Sequence, residues 1–165
     1  MLQAVDKEVL NQVSDWLADG ETCWLATVVQ TWGSSPRPIG SLLTCNRDGV
    51  IVGSLSGGCV EEDLLEKLTS GELAADGPQF FQYGITAEET EKLGLPCGGH
   101  LYIVVEPLRP EGTTRAHFAS LTQALAERQC ARRIVDLKRG STSIVTNCRF
   151  APLQWDQDSQ VLEHT

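Results

Sequence analysis

The sequence contains no Cys-x-x-Cys pair, although it holds six cysteines, at positions 23, 45, 59, 97, 130 and 148. That absence argues against a paired zinc or redox motif, and scattered thiols suit a reducing, cytoplasmic setting. Also missing is any run of 18 apolar residues, so no membrane span is expected. The opening MLQAVDKEVLNQV has neither the basic start nor the long apolar centre of a secretory signal. Basic residues are scarce: 13 Lys and Arg stand against 22 Asp and Glu, a formal charge of −9. Nucleic acid and anionic lipid both need a concentrated basic face, so neither is expected as a partner. An anionic ligand must instead be held locally, by backbone amides and one or two arginines. Neither G-x-x-x-x-G-K-[ST] nor G-x-G-x-x-G occurs, so the common nucleotide-phosphate loops are excluded.

What is present reads as one domain of 165 residues, with helices and strands in alternation. Val5, Val9, Val13, Trp16 and Leu17 share a helical face that stops at Gly20. TCWLATVVQT reads as a buried strand, and SLLTC and VIVGSL flank the hairpin signal NRDG. Val60, Leu64, Leu65 and Leu68 stripe a second helix that ends at Gly71. PQFFQYG is a strand, TAEETEKLG a short charged helix, and HLYIVVEPL a buried strand closed by Pro107. An alanine-rich helix follows over residues 113–128, carrying Ala116, Leu121, Ala124 and Leu125. ARRIVDLKRGSTSIVTN then reads as a hairpin turning near Gly140, and the polar tail after Pro152 is expected to fray. Alternation with an embedded hairpin predicts an α/β fold: a mixed sheet flanked by helices, with residues 1–108 as the core and 109–165 completing the same domain.

Chemistry concentrates where glycine meets cysteine. In GSLSGGCVEEDLLEKL a strand passes through Ser56, Gly57 and Gly58 into a helix at Cys59. Glycine admits close approach to the backbone, and a helix N-terminus lowers a thiol's pKa. Glu61, Glu62 and Asp63 already meet the helix dipole, which makes this a poor phosphate loop. The plain alternative is a tight strand-to-helix turn with a half-buried cysteine. LPCGGH repeats the pattern with Cys97, Gly98 and Gly99 ahead of a strand. Cys97 and His100 alone make a weak metal half-site, and no histidine spacing supports a base for Cys59. The loop TWGSSPRPIG supplies a cation, Arg37, pinned between two prolines beside Ser34, Ser35 and Gly40. A rigid surface loop with a solvated arginine is the competing reading. Cys23, Cys45, Cys130 and Cys148 lie in or beside strand-like text and are expected to act as small core hydrophobes.

Together these segments resemble the N-terminal domain of the XdhC/CoxI family, the maturation chaperones of xanthine dehydrogenase and related molybdenum hydroxylases. GSSPRPIG, SGGCVE and CGG fall in the same order, within residues 8–108. The resemblance implies binding of the molybdenum cofactor (molybdopterin), protection through sulfuration, and insertion into an apo molybdenum hydroxylase. It implies cofactor contacts by Ser34, Ser35, Arg37, Gly40, Ser56, Gly57, Gly58, Cys59, Glu61, Cys97, Gly98 and Gly99. Cys59 and Cys97, as soft thiolates, would face molybdenum. Homodimerisation and a cysteine desulfurase partner are further implications. Family members usually continue into a Rossmann-like domain. Its fingerprint is absent here, so a truncated chain or a single-domain member is expected. Two other classes stay open: a sulfur-transfer enzyme with Cys59 as nucleophile, and an interaction domain without a ligand.

Overall fold

The computed structural model describes residues 4–32, 38–55, 59–83, 100–146, 152–157, 159 and 161–164. Helix α1 (Ala4–Ala18) buries Val9, Leu10, Val13, Trp16 and Leu17 on one stripe. It stops where the sequence predicts. Gly20 takes φ +81, its N–H reaches the Leu17 carbonyl, and the Glu21 N–H reaches that of Trp16. This left-handed closure satisfies carbonyls the helix would otherwise leave open.

Five strands form the first sheet: β1 (Cys23–Trp32), β2 (Leu42–Asn46), β3 (Ile51–Gly53), β4 (Gln79–Tyr83) and β5 (His100–Leu108). Their order is β3-β2-β1-β5-β4. The predicted hairpin joins β2 to β3. The Asn46 side chain accepts the Asp48 and Val50 N–H groups at 3.0 Å each, and Gly49 supplies φ +86. Helix α2 (Cys59–Thr69) then crosses one face of the sheet, from the β3 edge to the β4 edge. Its Val60, Leu64 and Leu68 pack with Ala26, Val28, Leu43, Tyr83 and Ile103.

The opposite face carries two partners. Helix α3 (Gly112–Ala126) lies with α1 over Cys23, Leu25 and Leu42, and buries Phe118, Leu121 and Ala124. Beside them sits a second sheet, β7-β6-β9-β8, from β6 (Ala131–Asp136), β7 (Ser141–Thr146), β8 (Gln154–Asp156) and β9 (Val161–His164). Val135 and Leu162 of this sheet meet Val29 and Val104 of the first. Val28 and Val29, adjacent on β1, are both buried on opposite faces as strand alternation requires, and β1 shifts register against β5 between Val28 and Gln30.

Helices and strands combine as the α/β expectation requires, but the pairing corrects the predicted mixed sheet. Every pairing among the described strands is antiparallel, and there are two sheets. The strand–helix–strand unit β3-α2-β4 does run parallel, yet three strands lie between its two strands. The tail after Pro152 is also corrected. It does not fray but adds β8 and β9, with Leu162 paired opposite Val135 and 1% exposed. The charged segment TAEETEKLG lies outside the described residues.

Candidate functional site

All three glycine-rich segments leave the first sheet at one rim. β1, β3 and β4 end there, and β2 and β5 begin there, as the antiparallel order requires. Trp32 pairs with His100 and Tyr83 with Leu101, so residues 33–41 and 84–99 start or finish side by side. Gly53 pairs with Leu43, and Leu42 with Thr27. The rim is therefore stepped: β1 runs five residues past β2, roughly 16 Å at strand rise. Because α2 descends from β3, its N-terminus at Cys59 opens at the same rim.

The side chains and loops of Ser34, Ser35, Arg37, Ser56, Gly57, Gly58, Cys97, Gly98 and Gly99 lie outside the described residues, and Cys59 is described as the first residue of α2. The described flanks show how two of the loops are held. Pro38–Ser41 is a turn closed by the Ser41 N–H on the Pro38 carbonyl at 3.2 Å, with Gly40 at φ +94. That φ at the third turn position calls for glycine. The Gly40 N–H donates to the Val28 carbonyl and the Val28 N–H to that of Ser41, which docks the turn against the step. Gly40, expected to touch a ligand, is buried and has this structural duty. Ile39 at the turn's tip is 49% exposed.

Glu61, also an expected ligand contact, has its Oε1 against the chain itself: 2.9 Å from the Leu55 N and 3.3 Å from Ser54 Oγ. Two residues on, Asp63 accepts the Tyr83 hydroxyl at 2.9 Å and pairs with Lys67 at 3.5 Å. The described part of the rim fits an anionic metal–sulfur group in two respects. A cysteine occupies the first position of a helix, where the dipole favours thiolate. The Glu61 carboxylate in the first turn has part of its charge met by the Leu55 N–H and the Ser54 hydroxyl.

Cys23 and Cys45 are buried in the core as expected, and that burial pushes both thiols up to about 12. Cys130 is half-buried just before β6.

Sequence reading missed a second cluster, at the other end of the sheet. Glu106 and Arg133, 2% and 6% exposed, form a two-pronged ion pair at 2.7 and 3.3 Å between β5 and β6. The Arg133 Nε donates to His117 Nε2 at 3.0 Å, and its guanidinium lies 5.0 Å from the Phe118 ring centroid. Burial first, then the Arg133 charge, lowers the His117 pKa to about 4. These side chains line a pocket of about 210 Å³ with Pro78, Leu108, Thr114 and Thr142. Glu106 stands six residues along β5 from His100, roughly 20 Å from the rim. His117 is therefore too far to serve as a base for Cys59. A charge inside the apolar text HLYIVVEPL was the only sequence signal for this cluster. Asp6, likewise missed, is buried on α1 and accepts the Leu42 N–H at 3.0 Å, fixing the first residue of β2.

Comparison with known proteins adds to this geometry. Residues 16–84 match the XdhC and CoxI family. The chain is 28% identical over 150 residues to a probable xanthine dehydrogenase subunit of Bacillus subtilis, covering 84% of this chain and 43% of that protein. It is 30% identical over 107 residues to the molybdenum cofactor insertion chaperone PaoD of Escherichia coli, covering 62% of this chain and 32% of that one. The fold matches a solved xanthine dehydrogenase from Bacillus halodurans with a TM-score of 0.69 at 20% identity, over 96% of this chain and 52% of the other. The chain thus spans less than half of either curated relative.

Proposed function

We propose, on the match of residues 16–84 to the XdhC and CoxI family, that this protein binds the molybdenum cofactor at the stepped rim. In this reading it shields the cofactor through sulfuration and delivers it to an apo molybdenum hydroxylase of the xanthine dehydrogenase type. The observation that carries the proposal is topological. The ends of GSSPRPIG, SGGC and CGG, far apart in sequence, return to one edge of one sheet, together with the start of α2.

Each residue has a task its chemistry suits. Arg37, Ser34, Ser35 and the amides around Gly57, Gly58, Gly98 and Gly99 receive the phosphate and pterin edges. Cys59 and Cys97 offer thiolates to the metal–sulfur centre, where the bound cofactor supplies the molybdenum and its exchangeable sulfur ligand. A carrier must also let go, and Glu62 in the first turn of α2 keeps affinity in check. A cysteine desulfurase as sulfur source, a homodimer and a cytoplasmic location complete the reading. Similarity to the PaoD chaperone supports the cofactor assignment.

Titration of the cofactor into the wild type, Cys59→Ala, Cys97→Ala and Arg37→Ala tests this. Stoichiometric binding that each substitution weakens at least tenfold is expected. Equal binding by all four proteins refutes the site. A stable persulfide on Cys59 after turnover with a desulfurase, without pterin binding, favours the sulfur-transfer enzyme instead.

A further inference from the structure

The last residue of β3 that pairs with β2 is Gly53, opposite Leu43. Beyond it Leu55 is fully buried, past the reach of the strand ladder, and a buried backbone N–H must find a partner. It finds one on the next element. Glu61, third residue of α2, accepts the Leu55 N–H at 2.9 Å and the Ser54 hydroxyl at 3.3 Å, both on Oε1. The spacing from residue 58 to Glu61 is that of a capping box, in which a glutamate in the first helical turn reaches back to the chain ahead of the helix. Here the carboxylate reaches three residues further, to the exit of the strand. It ties the end of β3 to the start of α2.

We propose that Glu61 is a positioning residue: it fixes the strand exit against the helix and so sets the path of the Ser-Gly-Gly segment leading to Cys59, rather than touching a ligand itself. A carboxylate suits this role because a charge-assisted bond to N–H is stronger than a neutral one, and because negative charge is favoured in the first turn of a helix. The use made of the segment rests on the cofactor-binding reading above; the tie between Glu61 and Leu55 does not.

The two roles respond differently to Glu61→Gln. Glutamine keeps an acceptor oxygen for Leu55 and Ser54 but removes the charge, whereas alanine removes both. Amide hydrogen exchange at Leu55, Cys59 alkylation rate and cofactor titration would be compared in the wild type, Glu61→Gln and Glu61→Ala. In Glu61→Ala, Leu55 exchange is expected to rise about tenfold or more, as for loss of one buried hydrogen bond. The Cys59 alkylation rate is expected to change with it, and cofactor affinity to fall at least tenfold. Glu61→Gln is expected to stay within about threefold of wild type in all three. If Glu61→Gln loses affinity as fully as alanine while Leu55 exchange stays at the wild-type rate, the carboxylate is acting on the ligand and the proposal is overturned. If Glu61→Ala does not fold, Glu61→Met takes its place: a tenfold rise in Leu55 exchange supports the tie, and exchange at the wild-type rate refutes it. If the wild type binds no cofactor, the functional reading fails, and the exchange and alkylation results still decide this one.

Discussion

Replacing Arg133 by methionine isolates the buried ion pair between the two sheets. The change keeps most of the side chain's length and removes its charge, leaving the Glu106 carboxylate in a site where it is 2% exposed. Breaking one side of a buried pair costs about 3–5 kcal/mol, because the remaining charge has neither water nor partner. His117 loses the donor on its Nε2, and the Phe118 ring loses a cation at 5.0 Å. A domain of this size holds roughly 8–15 kcal/mol in all, so the single variant should fold but unfold at a clearly lower urea concentration. The informative comparison is Glu106→Leu/Arg133→Met, which removes both charges. Apolar replacement of a buried pair is often neutral or stabilising, so the double variant should recover most of the loss. Equilibrium urea unfolding followed by circular dichroism measures both. A loss under about 1 kcal/mol in the single variant, or a double variant no better than the single, would show that water reaches the pair and that it does not hold the sheets together.

Other consequences follow from single positions. His117 is held near pKa 4 when folded and returns to about 6.5 when unfolded, so the unfolded chain takes up a proton first. Stability should fall as pH drops from 6.5 towards 4, and His117→Gln should flatten that dependence in pH-resolved denaturation. Gly53 has φ +92, and a methyl there would lie 2.3 Å from the Leu42 carbonyl oxygen and 2.6 Å from Val9. Gly53→Ala should cost about 2–4 kcal/mol from backbone strain and overpacking together, visible as a lowered urea midpoint. Arg128 closes α3 at φ +57, a place glycine usually fills. Arg128→Gly should raise stability by about 0.5–1 kcal/mol, read as a higher Tm.

Local structure was legible wherever the signal was local. Gly20 and Gly71 end their helices in left-handed turns, and the Asn46–Gly49 turn makes the predicted hairpin. Sheet order was not legible, since no local pattern reveals that α2 carries the chain past three strands. Nor was the tail: β8 and β9 are three and four residues long, too short for a periodic signal, and they meet the core through buried Leu162 with Leu153 and Trp155 partly buried beside it. At the site, residue types and order pointed to the three loops. The duties of Gly40 and Glu61 were hidden, because both depend on neighbours that only the fold supplies. Glu106, His117 and Arg133 come from three elements with no common spacing, so no sequence motif could join them.

The central position of β1 bears on how the molecule comes into being. Its longest partner is β5, which pairs residues 23–32 with residues 100–108. The stretch that carries the family match, residues 16–84, stops before that partner begins. A ribosome that has delivered this stretch has made β1 with one edge bare, and closing so long a loop is an entropic cost met late in folding. Residues 33–41 and 84–99 acquire their common border only when His100 docks beside Trp32. The pairing that completes the core of the first sheet is therefore the same pairing that completes this rim.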